Sequence, residues 1–142
     1  MTPVIPKKSD AFASKSPVIL ALEASGDLLS VALSADGAVC HHEFYVSRHG
    51  HAARIVTTVD WLMKTAKLNY AQITHIAAGC GPGSFTGIRV TLAAAKGLSF
   101  ANKIDVYGFN SDQIINKNYT KIVELFNNGL LKKNLIKPNY SS

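Results

Sequence analysis

The most distinctive residues form a glycine-rich segment between Gly81 and Gly87, with the sequence Gly-Pro-Gly-Ser-Phe-Thr-Gly. Its glycines permit positive φ angles and close approach of other groups to the backbone. Its hydroxyl side chains can cap a helix, and unpaired amides at a helix N-terminus attract anions. The segment matches neither the Walker A nor the dinucleotide-binding pattern, so two interpretations stay open: a cradle for a phosphate group, or a tight connection from a strand to a capped helix. The candidate residues of this segment are Gly81, Gly83, Ser84, Phe85, Thr86 and Gly87.

A second candidate site lies on a helix predicted from His51 to Lys67. Apolar residues recur along this helix with a 3.6-residue period, which predicts a face packed on a sheet. The members of this stripe are Ile55, Val56, Val59, Leu62, Met63 and Ala66. Trp61 falls about 160° from the centre of the stripe, beside Arg54 and Thr65. A tryptophan away from the core and next to an arginine is typical of a partner interface; the alternative is that another segment of the chain covers it.

The remaining reactive side chains form no recognisable metal site. The histidines between residues 41 and 51 lack the spacing of metal ligands. Cys40 and Cys80 do not form a Cys-x-x-Cys pair and cannot build a disulfide-dense scaffold. No apolar stretch approaches the roughly 18–20 residues that cross a bilayer. We therefore predict a cytoplasmic protein without a metal ion and without a membrane partner.

The elements that position these residues follow an order typical of an α/β protein. Strands alternate with helices after an initial meander of three strands, which gives the order βββαβα(β). The predicted strands are Val18–Ala24, Leu28–Leu33, Ala38–Val46, Ile73–Gly79 and Asp105–Gly108, and the predicted helices are His51–Lys67 and Ile88–Ala101. A strand–helix–strand unit requires parallel pairing, so we expect a mixed sheet covered by helices.

Composition changes at both ends of this body. Residues 1–16 are rich in proline, lysine and serine and have no apolar periodicity, which predicts a flexible leader. Residues 17–110 are predicted to form the folded domain, and residues 111–142 an atypical tail rich in asparagine and lysine. Most of the net charge of +6 lies in the two ends. The nearly neutral body is therefore not expected to bind nucleic acid strongly.

The glycine-rich segment and the helix after it resemble the TsaB (YeaZ) family, bacterial subunits of the machinery that makes threonylcarbamoyladenosine in tRNA. The resemblance covers about residues 18–110 and is most specific from Gly81 to Arg89. The other matching segments are Ile19–Ser25, Ser30–Leu33, His51–Arg54 and Ala95–Leu98. The resemblance implies half of an actin-like (ASKHA, ribonuclease H-like) domain that has no catalytic residue or cofactor of its own. It also implies pairing with a TsaD-like paralogue and a TsaE-like ATPase, a homodimer formed through helices, and only indirect contact with tRNA.

Three departures from the wider superfamily bear on chemistry. Its nucleotide-using members carry Asp on the first strand, where this chain has Glu23. The His-x-x-x-His metal motif of the catalytic paralogue is absent, because Ala53 and Ile55 stand four residues after His49 and His51. The second actin-like half is not recognisable. We therefore expect an accessory subunit rather than an enzyme. The two alternatives are a nucleotide- or phosphate-using enzyme of the actin-like ATPase superfamily, and a truncated remnant without function.

Overall fold

The computed structural model describes residues 16–25, 28–45, 51–82, 85–114 and 118–133. The predicted leader therefore lies outside the described residues, except for Ser16. The strands are β1 (Val18–Ser25), β2 (Leu28–Ala35), β3 (Ala38–Tyr45), β4 (His75–Gly79) and β5 (Val106–Phe109). The helices are α1 (His51–Ala66), α2 (Phe85–Asn102) and α3 (Lys121–Asn127). Within the described ranges no helix combines the length and apolar character that a membrane-spanning segment requires.

The five strands form one mixed sheet in the order β3-β2-β1-β4-β5. The meander β1-β2-β3 is antiparallel, as expected for strands joined by connections of only two residues. The pairs β1-β4 and β4-β5 are parallel, and the helices α1 and α2 lie between the strands of these pairs along the chain. The predicted α/β class, element order and mixed sheet are confirmed.

One face of the sheet packs against α1 and α2. Alternate strand positions and one stripe of each helix supply this layer, as the two side-chain periodicities require. Its largest fully buried members are Leu20, Leu22, Leu29, Leu33, Ile55, Leu62, Ile76 and Ile88. The predicted stripe of α1 is confirmed except at Val56, which is exposed. Val56 lies about 60° from Val59 around the helix, at the margin of the stripe.

The opposite face of the sheet is covered by the chain that follows β5. The buried side chains of this second layer are Ile19, Ala21, Ala32, Ala77, Phe109, Ile114, Tyr119, Ile122, Leu125 and Leu131. Helix α3 ends ahead of Gly129, whose φ of +70° is a conformation that glycine commonly adopts after a helix. The packed unit therefore extends past residue 110 and includes part of the segment predicted to be an atypical tail.

Candidate functional site

The glycine-rich segment connects β4 to α2, and its first residue is held by the chain after β5. The Gly81 N–H donates to the Ser111 hydroxyl oxygen at 3.1 Å, and the Gly81 carbonyl accepts from the Ser111 N–H at 3.0 Å. Gly81 is buried, has a φ of +100° and precedes a cis peptide bond to Pro82. Its amide is thus committed to a partner within the chain rather than directed at an anion. Gly83 and Ser84 lie outside the described residues.

The second half of the segment is helical, which corrects the sequence-based boundary. Phe85, Thr86 and Gly87 form the first turn of α2, whereas the sequence predicted a turn up to Gly87 and a helix from Ile88. Glycine and threonine have low intrinsic helix propensity, which displaced the predicted start. The buried Ile88 attaches this end of the helix to the core, and packing of this kind outweighs local propensity. The role of these residues in phosphate binding or docking stays a prediction.

Glu23 lies near the end of β1, the position that carries Asp in nucleotide-using members of the superfamily. Its side chain is only 4% exposed, and Oε1 accepts a hydrogen bond from the Tyr119 hydroxyl at 2.8 Å. A Cβ atom at Gly79 on the adjacent β4 would lie 2.6 Å from Glu23 Cγ and 3.0 Å from the Ser111 Oγ. Glu23 is therefore enclosed on one side by β4 and on the other by residues that follow β5.

The enclosed position of Tyr119 changes the pKa of its side chain. Burial and the negative charge of Glu23 raise the pKa of the Tyr119 phenol above its usual value. The phenol therefore stays protonated and donates its hydrogen bond throughout the neutral pH range. The His41 ring lies beside the Tyr119 ring, with 5.4 Å between their centroids. The sequence did not single out Tyr119, and its isolated position in an asparagine-rich segment gives no local signal.

A polar row crosses the sheet next to this pair. Ser30 on β2 is opposite Glu23 on one side and opposite Glu43 on the other. The Ser30 hydroxyl is 3.5 Å from Glu43 Oε2. Among the residues that the structure describes, no group of three or more His, Cys, Asp or Glu side chains is arranged to hold a metal ion.

The predicted partner surface on α1 contains an exposed tryptophan beside a shallow groove. Trp61 is 55% exposed, and its ring meets the His42 ring edge-on with 5.7 Å between centroids. The groove has a volume of about 260 Å³ and is lined by His42, Thr57, Thr58 and Trp61. The sequence analysis did not include His42 in this surface. Its alternation with Phe44 along β3 was the available signal, because it places both side chains on the face that α1 covers.

The two other predicted residues of this surface stand on the same side of α1. Thr65 lies one helical turn after Trp61, and its hydroxyl donates to the Trp61 carbonyl at 2.8 Å. The Arg54 guanidinium lies over the Phe44 ring at 4.6 Å from its centroid. Arg54 is thus oriented by a cation–π contact with β3. The predicted residues Arg54, Trp61 and Thr65 and the neighbouring His42 lie where α1 packs beside β3, and we call these four residues the Trp61 surface.

Comparison with known protein families agrees with this architecture. The family model described as TsaD, tRNA N6-adenosine threonylcarbamoyltransferase, matches residues 45–121. The chain belongs to the TsaD family. Its curated relatives include the Escherichia coli tRNA threonylcarbamoyladenosine biosynthesis protein TsaB, which is 34% identical over 93 residues that cover 66% of this chain and 40% of the relative. The TsaB protein of Haemophilus influenzae is 38% identical over 88 residues, covering 62% of this chain and 37% of the relative. The resemblance to TsaB is confirmed.

Solved structures support the same assignment. YeaZ from Pseudomonas aeruginosa superposes with a TM-score of 0.64 at 30% identity, covering 76% of this chain and 50% of that structure. Thermus thermophilus RuvC superposes with a TM-score of 0.51 at 13% identity over 80% of each chain, which shows a shared fold only. The actin-like, ribonuclease H-like half domain is thereby confirmed. The chain spans half or less of the length of these TsaB and YeaZ relatives.

Proposed function

We propose that this chain is a non-catalytic assembly subunit in the formation of N6-threonylcarbamoyladenosine in tRNA, and that it binds a TsaD-type partner through the Trp61 surface. The observation that carries the proposal is the exposed Trp61 ring on α1. The names of the curated relatives, which refer to threonylcarbamoyladenosine biosynthesis, support the process in which we place it. Tryptophan and arginine are the residue types that most often anchor a protein interface. A TsaE-like ATPase is the second proposed partner, and tRNA is contacted through the complex.

The state of Glu23 supports an accessory role rather than catalysis. A carboxylate that positions a metal-bound water must be open to the cleft in which the substrate binds. Glu23 is instead buried and accepts a hydrogen bond from Tyr119. Gly81 likewise offers no support for the alternative of a nucleotide-using enzyme. Its amide donates a hydrogen bond to Ser111 within the chain.

The experiment is a binding titration with the TsaD-type protein of the same source, coupled to a threonylcarbamoyl-transfer assay. We expect Trp61→Ala to weaken binding by at least about 30-fold, the effect of losing an interface anchor of about 2 kcal/mol. The melting temperature should be nearly unchanged, because the ring lies largely outside the core. Phe100→Ala is the matched control, since Phe100 is an exposed aromatic residue on α2 and should leave binding intact.

Three results would count against the proposal. Wild-type affinity in Trp61→Ala would remove the Trp61 surface as the binding site, and no binding by the wild type would remove the subunit assignment. Saturable ATP binding at micromolar concentration, lost in Gly83→Trp, would favour the enzyme instead.

A further inference from the structure

Arg54 is an exposed cation on α1 that is held in position but not neutralised. Its guanidinium lies over the Phe44 ring, 4.6 Å from the centroid, and this contact directs the side chain toward β3. Within the described ranges of the chain, Arg54 forms an ion pair with no carboxylate. A guanidinium presents its N–H donors in a fixed planar arrangement that matches a carboxylate. Arg54 is therefore an oriented donor whose charge a group from outside the chain can neutralise.

The carboxylates of α1 and β3 are directed elsewhere. Asp60, the only acidic residue of α1, accepts a hydrogen bond from the Tyr70 hydroxyl. Glu43, the only acidic residue of β3, lies on the face of that strand away from α1, and its Oε2 is 3.5 Å from the Ser30 hydroxyl. The surface around Arg54 therefore carries a positive charge and no carboxylate from either of these elements.

Arg54 and Trp61 lie on the same side of α1. They are seven residues apart, which places them about 20° apart around the helix and roughly 10 Å apart along its axis. Thr57 and Thr58, which line the groove, lie between them on the helix, and the Thr58 hydroxyl donates to the Arg54 carbonyl at 2.7 Å. A standard protein interface covers about 800 Å² on each partner. A partner that covers the Trp61 ring therefore also covers the Arg54 guanidinium.

We propose that the Trp61 surface receives an acidic segment of the TsaD-type partner, in which a carboxylate pairs with Arg54 and an apolar side chain occupies the groove beside Trp61. These two groups of the partner are roughly 10 Å apart, the spacing of residues seven positions apart in a helix. The inference rests on the proposed function for the identity of the partner, and it adds the chemistry by which that partner is recognised.

The cost of covering an unpaired charge supports an acidic occupant. Removing a cation from water without a counter-charge is strongly unfavourable, whereas an arginine that forms two parallel hydrogen bonds with a carboxylate gains both energy and orientation. The contact with Phe44 already orients the guanidinium, so less conformational entropy is lost on binding. RNA is the less suitable occupant, because binding to its backbone requires several Lys or Arg side chains along one groove, and the Trp61 surface contains a single arginine.

A binding titration of the full chain with the ribonuclease-treated TsaD-type protein of the same source tests the charge at position 54. We expect the affinity to fall roughly 10- to 100-fold in Arg54→Gln and at least about 10-fold further in Arg54→Glu. Arg54→Lys keeps the charge and should lose less affinity than Arg54→Gln. Both the Gln and the Glu variant lack the contact with Phe44, so the difference between them reports recognition of charge rather than folding.

Lys132→Gln is the matched control. It removes an exposed positive charge at the opposite edge of the sheet, where Lys132 pairs through its backbone with Gly108 of β5. Because this position lies away from the Trp61 surface, the affinity should stay within about two-fold of the wild type.

Carbodiimide cross-linking locates the carboxylate of the partner. In the Arg54→Lys variant, the new amine should form an amide with an Asp or Glu side chain of the partner, which peptide mass spectrometry identifies. Changing that partner residue to lysine should weaken binding to the wild-type chain and restore binding to Arg54→Glu, because opposite charges then face each other again.

The outcomes separate this inference from the proposed function. If Trp61→Ala weakens binding but every Arg54 variant binds like the wild type, the proposed function stands and the acidic occupant is overturned. If neither residue affects binding, both proposals fail. Equal losses in Arg54→Gln and Arg54→Glu would assign Arg54 a structural role and overturn the inference. Binding of tRNA alone that is lost in Arg54→Gln and in Trp61→Ala would identify RNA as the occupant and would also overturn it.

Discussion

Tyr119→Phe removes the hydroxyl that joins the chain after β5 to Glu23 and leaves the ring in place. The hydroxyl donates to Glu23 Oε1 at 2.8 Å, and Tyr119 is only 2% exposed, so water cannot easily replace the lost donor. A hydrogen bond to a charged group contributes about 1.5–3 kcal/mol. We therefore expect the free energy of unfolding to fall by about 2 kcal/mol, which lowers the melting temperature by roughly 6–10 °C in a chain of this size.

Urea denaturation at pH 7 measures this loss. Tyr45→Phe is the matched control, because the exposed Tyr45 hydroxyl should contribute less than about 0.5 kcal/mol. A double-mutant cycle with Glu23→Gln isolates the pair: with a neutral acceptor, the cost of removing the Tyr119 hydroxyl should fall to about 1 kcal/mol. A loss below about 0.5 kcal/mol in Tyr119→Phe alone would refute the reasoning that this hydrogen bond closes the Glu23 end of the sheet.

The same pair predicts a pH dependence on the alkaline side. Because burial and Glu23 raise the pKa of Tyr119 in the folded state, the unfolded chain releases this proton first. The resulting stability is fully present below about pH 10, the usual tyrosine pKa, and is lost as the pH rises above it. Unfolding curves at pH 8, 10 and 11 should therefore show a steeper loss in the wild type than in Tyr119→Phe. Parallel slopes in the two proteins would contradict the assignment.

The remaining predictions concern packing and acid stability. Gly79→Ala should cost about 2–3 kcal/mol in chemical denaturation, because its Cβ would meet Glu23 Cγ at 2.6 Å. Gly97→Ala, within α2, should instead stabilise by about 0.5–1 kcal/mol, because beyond the helix's own backbone and the adjoining residues nothing lies within 4 Å of the new Cβ; equal effects at both glycines would contradict the enclosure of Glu23. Burial lowers the pKa of His75, whose ring packs edge-on against Phe126 at 4.8 Å. Stability from this group is present above about pH 6.5 and lost as the pH falls below it, so His75→Phe should flatten the acid limb of a stability–pH profile.

The meander and α1 were predictable because their signals are local. Asp36 and Gly37, which are typical turn residues, separate β2 from β3, and the spacing of apolar residues defines α1 to within one residue. The exposure of Trp61 followed from the same helical geometry, since only one stripe of α1 can face the sheet. Each of these features depends on residues that are close together in the sequence.

The burial of Glu23 was not predictable, because the contacts that bury it join residues far apart in the sequence. Tyr119 and Glu23 are 96 residues apart, and the layer that contains Tyr119 includes only the seven-residue α3. Two buried residues of that helix, Ile122 and Leu125, are too few to define an amphipathic period. The asparagine-rich composition around them is typical of loops. The packing of this segment is therefore set by the open face of the sheet that it covers rather than by its own pattern.

Trp61 and Glu23 differ in what a binding partner would have to break in order to reach them. A ligand that reached Glu23 would have to break the Tyr119 hydrogen bond, worth about 2 kcal/mol, and the two Gly81–Ser111 bonds, worth about 1 kcal/mol each. Opening at a cost of about 4 kcal/mol would reduce the apparent affinity by roughly 1,000-fold. Binding at Trp61 requires no such opening, because its ring is already exposed. This difference in cost favours recognition at the sheet edge over chemistry at Glu23.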